Sequence, residues 1–277
     1  MNGLVELPLI VFTVLAQSAV GAWLIFCVVL WRSRHADSRR IYRRQFVLLA
    51  LLGVGFIASM LHLGSPLRAF NAFNRVGESM LSNEIAGGAA FFATAGLFWL
   101  LAIFDKLPPL VAKTWQILTA LLGVVFMYMM ANLYQIPTVP TWHTALTSWQ
   151  FYLTAAVGGA ALAYGLLALN PQSDPVLKGL PWLHLVALGL IAVVTVYQVF
   201  QLAHTQSSIQ QALDLVPDFA YLTALRLLCL AVAAWLLFQR PQAVRLSTAV
   251  LLTLFAEGIG RSLFYALHMT SGMAVGG

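Results

Sequence analysis

The chain has 277 residues, 61% of them apolar and only 9% charged, against about 45–50% and about 25% in an ordinary soluble domain, which excludes a water-soluble globule. Its formal charge of +6 does not indicate nucleic acid, because the basic residues sit in short connectors between apolar runs and not on one solvated face. The two cysteines, Cys27 and Cys229, fall short of the four thiolates that hold an iron–sulfur cluster and support no disulfide framework.

Eight apolar runs are long enough to cross about 30 Å of hydrocarbon: 7–31, 45–63, 84–104, 114–134, 148–169, 181–203, 219–238 and 247–268. The first is preceded by Glu6 and no basic residue, so it reads as a retained span and not a removable signal. After the second, Pro66 stops the helix, and Leu67, Phe70, Phe73 and Val76 recur every three residues with Arg68, Asn71, Asn74 and Arg75 between them. That pattern predicts a short amphipathic helix lying in the interface, its basic residues neutralised by Glu78 and Glu84. Small residues, Gly87 to Ala90 in the third run and Ala155, Gly159 and Ala163 in the fifth, predict close helix packing in lipid.

The connectors settle the expected orientation. Those at 32–44, 105–113, 170–180 and 239–246 carry Arg32, Arg34, Arg39, Arg40, Arg43, Arg44, Lys106, Lys113, Lys178, Arg240 and Arg245, whereas the alternate set carries only Arg68 and Arg75. Basic short loops mark the cytoplasmic face, so both termini are expected outside, in the periplasm of a Gram-negative host. With no repeat and no long linker, residues 1–277 read as one all-α membrane domain of eight transmembrane helices.

Ionisable groups within spans are costly and face a bundle interior or a cavity. At 1.5 Å per residue, Arg226 lies about 10 Å from the outer start of the seventh run, and Arg261 and Glu257 about 10 and 16 Å from the outer end of the eighth. Glu257 and Arg261 are four apart, so they share a helix face and are expected to pair, either as a structural lock between helices or as part of a binding site. His62, His143, His204 and His268 fall at the outer side, His35 and His184 at the inner. A dihaem subunit needs facing histidine pairs near both surfaces, and the inner side offers none within the membrane. His143, His35 and His184 read as interfacial side chains with their polar tips in water.

The run Ile57 to Asn71, containing His62-Leu63-Gly64-Ser65-Pro66, continues through Asn74-Arg75-Val76-Gly77 and Leu81-Ser82-Asn83-Glu84-Ile85. It resembles the signature of the DmsC family, the membrane anchor subunits of anaerobic dimethyl sulfoxide reductase. Ser207 to Ala212, Leu215 to Asp218, and Glu257 to Thr270 fit as well, and the similarity extends over essentially the whole chain. The resemblance implies a haem-free, metal-free inner-membrane anchor that binds menaquinol and holds an iron–sulfur subunit and a molybdopterin catalytic subunit to the bilayer. It ties His62 to quinol oxidation and places the acidic residue opening the next helix at Glu84. Depth and charge add Arg68, Arg75, Arg226, Glu257 and Arg261 as quinol-binding candidates.

Quinol oxidation releases two protons and two electrons and needs a proton acceptor within hydrogen-bond reach of the ring hydroxyl. A histidine, which titrates near neutral pH, suits that task at His62. Glu84 then orients it or relays the proton outward. Arg68 or Arg75 steadies the developing negative charge or docks the iron–sulfur partner. An anchor for a related reductase with another terminal acceptor carries the same site, and a secondary transporter also keeps charges inside its spans.

Overall fold

The structure is a computed structural model that describes residues 6–32, 35–62, 66–169, 175–206 and 210–270, with side chains described for all of these except 35–37, 62 and 66–70. Eight helices form its frame: α1 (Leu7–Arg32), α2 (His35–His62), α3 (Met80–Ile103), α4 (Pro109–Leu133), α5 (Ala145–Leu167), α6 (Pro175–Ala203), α7 (Phe219–Phe238) and α8 (Ala243–Ala266). Each is long and apolar enough to cross a bilayer, and no strand occurs among the described residues. The all-helical, eight-span architecture is the one the apolar runs predict.

Most helices begin earlier than the apolar runs do: α2 at His35, α3 at Met80, α4 at Pro109, α5 at Ala145, α6 at Pro175 and α8 at Ala243. Apolarity marks only the stretch in hydrocarbon, whereas backbone hydrogen bonding continues the helix into the interface. Proline opens α4 and α6 at the first helical position, where its missing N–H would have no helical partner.

At the centre stand α1 and α5, the two most buried spans. α1 packs on α5, α2, α4 and α8, and α5 packs on α6, α8 and α4. The α1–α5 crossing is close because glycines make it so. A Cβ on Gly21 would strike the Ala155 carbonyl, one on Gly158 would strike Ser18, and one on Gly159 would lie 2.5 Å from the Gly21 carbonyl carbon. Gly88 likewise admits the ring edges of Phe126 and Phe56. Both small-residue stretches therefore act as the sequence predicts, letting backbones or large side chains approach where lipid offers no hydrophobic drive for association. Trp23, Phe91, Phe98 and Phe126 fill the space between α1, α3 and α4.

The segment Pro66–Arg75 is a ten-residue helix of the tight three-per-turn kind. Three residues per turn is the period of the apolar recurrence in the sequence. Gly77 then reverses the backbone at φ +93°, a left-handed conformation that glycine tolerates without a Cβ clash. The Gly77 N–H donates to Asn83 Oδ1 at 2.6 Å, tying the turn to the first turn of α3.

Candidate functional site

Polar groups gather inside the half of the bundle towards which α2 and α4 run. α3 buries Ser82, Glu84, Gly88, Phe91 and Ala95 along one face. The sequence places Glu84 at the water-facing start of its helix, as a neutraliser of Arg68 and Arg75. The structure corrects this: α3 starts four residues earlier, so Glu84 falls in its second turn and is buried, and Arg75 is exposed and pairs with Glu78 at 3.9 Å. Glu84 Oε1 has no hydrogen-bond partner among the described residues.

The hydroxyls of Tyr134, at the end of α4, and Tyr265, on α8, meet at 2.6 Å. The pair is held by the loop between α4 and α5. Trp142 donates its indole N–H to the Phe264 carbonyl at 2.8 Å and stacks on the Phe264 ring at 4.9 Å. Thr141 donates to the Leu267 carbonyl at 2.6 Å. Tyr134 packs in turn against Trp142, Phe151 and Phe264, so its hydroxyl is rigidly placed.

Further into the bundle lies the charged group. Arg226 Nη2 donates to both oxygens of Glu257, at 3.0 and 3.1 Å, and Nε adds a contact at 3.3 Å. Spacing along α8 predicts that Glu257 pairs with Arg261 one turn away. Instead it reaches across to α7, and the reason is Gly260: its missing side chain leaves the space the Arg226 guanidinium occupies, within 2.5 Å of where a Cβ would stand. Arg261 turns towards α1 and α5, where Nη2 donates to Gln17 Oε1 at 2.8 Å and the guanidinium lies 3.7 Å from the centre of the Phe151 ring. Thr154 joins the two groups, donating to Glu257 Oε2 and accepting from Arg261 Nη2 at 3.5 Å.

The histidines divide. His143 is exposed, as expected. His184 is not interfacial: it is fully buried, with ring nitrogens 3.3 and 3.4 Å from the carbonyls of Val157 and Leu230 on α5 and α7. Because α6 begins at Pro175, residue 184 sits in its third turn, where α5 and α7 cover it. His62 closes α2, while its side chain and that of Arg68 lie outside the described residues, as does the side chain of His35. Among the described residues no three His, Cys, Asp or Glu side chains converge as a metal site would need.

Reading the sequence for charge alone passes over Gln17, Thr154, Tyr134 and Tyr265. Gln17 and Thr154 do leave a trace, as amide and hydroxyl groups in mid-span. The tyrosines leave none, because tyrosine is common at membrane interfaces in any case.

Comparison with known proteins agrees over the full length. A family model described as DMSO reductase anchor subunit (DmsC) matches residues 1–267. The C subunit of the anaerobic dimethyl sulfoxide reductase of Haemophilus influenzae is 55% identical over 277 residues, covering 100% of this sequence and 99% of that one. In Escherichia coli K12, the YnfH subunit of an anaerobic dimethyl sulfoxide reductase is 46% identical over 285 residues, covering 100% of this sequence and 99% of that one. The C subunit from the same organism is 45% identical over 283 residues, covering 99% of each.

Proposed function

We propose, for a protein that belongs to the DMSO reductase anchor subunit family, that this multi-pass anchor also oxidises menaquinol, at the end of the bundle where α2, the Pro66–Arg75 helix and α3 meet. In this reading His62 takes the proton of one ring hydroxyl, Glu84 orients His62 or carries that proton on to water, and the proton of the other hydroxyl is released to water as well. Arg68 and Arg75 steady the negative charge left on the ring oxygen or hold the partner. The two electrons pass to a cluster in an iron–sulfur subunit and then to a molybdopterin subunit that reduces the terminal acceptor. The whole protein works as one domain in the bacterial inner membrane, with the basic connectors in the cytoplasm and both termini in the periplasm.

One observation carries the reading. Glu84 is 4% exposed, yet one of its oxygens has no partner among the described residues. Buried polar atoms are nearly always hydrogen-bonded, and each exception calls for an explanation, a catalytic role among them. The carboxyl sits near the start of α3, which packs on both α2 and the Pro66–Arg75 helix. An open acceptor there, on the side of the bundle where His62 closes α2, suits the receipt of a proton.

The test uses assembled complex. His62→Ala and Glu84→Gln should each abolish quinol-driven turnover, while an artificial donor feeding the partner clusters still supports reduction of the acceptor. Normal quinol-driven rates in an assembled His62→Ala complex would remove His62 from the mechanism. Cysteine labelling from either side of the membrane checks the orientation, and a cytoplasmic carboxy terminus would place the site on the opposite face.

A further inference from the structure

At the basic end of the bundle, opposite Glu84, a cavity of about 70 Å³ lies between the end of α1 and the starts of α2 and α4. Leu30, Ser38, Tyr42, Ala112, Lys113 and Gln116 line it. Gln116 is 2% exposed, and neither its amide nitrogen nor its amide oxygen has a partner among the described residues. Gln45 is fully buried one turn beyond Tyr42 on the same face of α2, and both its amide atoms are in the same condition. Burying an amide without a hydrogen bond costs free energy, so the Gln116 amide in the cavity wall points to something that it binds.

The charge around the cavity says what. Lys113 directs its ammonium at the Trp31 carbonyl, 3.0 Å away, and over the Trp31 ring, which uses one of its three N–H donors. The α4 residues in the cavity wall, Pro109, Ala112, Lys113 and Gln116, lie in its first two turns, at the positive end of the helix dipole. An ammonium, a buried amide donor and the positive end of a helix dipole beside a space this small form a receptor for one tetrahedral oxyanion.

We infer that this cavity binds a phosphate group, with Gln116 and Lys113 as its principal donors. The phosphate has two sources in a cell, the headgroup of an anionic phospholipid and the free anion. The inference stands apart from quinol oxidation and needs no activity to test it.

The full-length protein would be placed in phosphatidylcholine nanodiscs containing a minority of phosphatidylglycerol. Retained phosphatidylglycerol would then be counted by native mass spectrometry, and inorganic phosphate binding measured on the same protein by calorimetry. Gln116→Leu and Lys113→Gln should each weaken retention about tenfold, the effect of losing one charge-assisted hydrogen bond. Arg240→Gln, at the same end but away from the cavity, should leave it unchanged. Loss in Gln116→Leu but not in Arg240→Gln assigns the site to a lipid headgroup. Phosphate binding that Gln116→Leu abolishes, without lipid retention, assigns it to the free anion. Equal losses in Lys113→Gln and Arg240→Gln, or binding in Gln116→Leu equal to that of the parent, would overturn the site in favour of diffuse attraction to a basic surface or of water alone. Gln116→Leu removes an unpartnered amide, so the variant is expected to fold.

Discussion

Glu84 and Glu257 are the same residue type at nearly the same burial, 4% and 1% exposed, and their surroundings differ in kind. Both carboxylate oxygens of Glu257 have partners: Arg226 grips the two of them, and Thr154 adds a hydroxyl. Glu84 has an oxygen with none among the described residues. Burial alone therefore says little about role. A carboxylate fully enclosed by donors is held in one state and ties its helices together. One with an oxygen that no described side chain answers lacks that compensation, a cost that a reaction can use. The contrast extends to the arginines, since Arg226 is engaged with both oxygens of its carboxylate while Arg261 keeps Nε and Nη1 without partners among the described residues.

The contrast breaks most visibly at Arg226. Arg226→Ala leaves the Glu257 carboxylate buried with only Thr154 to answer it, and such a loss costs about 3–5 kcal/mol. The expected outcome is little anchor in membranes and release of bound partners. Replacing both, Arg226→Met with Glu257→Met, should recover most of the loss, because apolar residues of similar volume often match a buried ion pair. Unfolding in mixed detergent micelles measures both. A single variant as stable as the parent would show that the pair does not hold α7 to α8.

Arg261→Met is expected to cost less, about 1–2 kcal/mol by the same measurement, because the stack on Phe151 and the bond to Gln17 are lost while two guanidinium nitrogens without partners among the described residues are removed as well. A loss as large as that of Arg226→Ala would make the two arginines equivalent and erase half of the comparison. Smaller again is Tyr265→Phe, which deprives Tyr134 of its hydroxyl partner at a cost of about 1 kcal/mol.

How far these roles can be read in advance differs from group to group. The helices, the glycine-lined crossing of α1 and α5, and the period-three helix at Pro66–Arg75 all follow from composition and spacing, since lipid allows little besides continuous helices. Helix starts do not, because the interface hides where hydrogen bonding begins, and both Glu84 and His184 lie deeper in their helices than the apolar runs suggest. Arg226, Glu257 and Arg261 stand out by charge, yet spacing along α8 names the wrong pair. Same-helix spacing sees only one cylinder, and what turns Glu257 towards α7 is the absence of a side chain at Gly260. The tyrosine pair depends on two helices meeting from positions 131 residues apart in sequence, a contact that no local pattern encodes.

Glu84→Gln is expected to have the smallest effect on stability, within about 0.5 kcal/mol, and it decides the comparison. The amide keeps the carboxyl's shape, and the open oxygen has no partner among the described residues to lose. Glu257→Gln keeps shape too, but it leaves the Arg226 guanidinium without a counter-charge, so its abundance should fall well below that of Glu84→Gln. Anchor protein and quinol-analogue binding would be quantified in the same membranes. Full abundance with lost binding in Glu84→Gln, beside low abundance in Glu257→Gln, is the expected result. The reverse pattern, with Glu257→Gln abundant but unable to bind and Glu84→Gln depleted, would exchange the two roles: the partnered carboxylate would belong to the site and the open one to the scaffold.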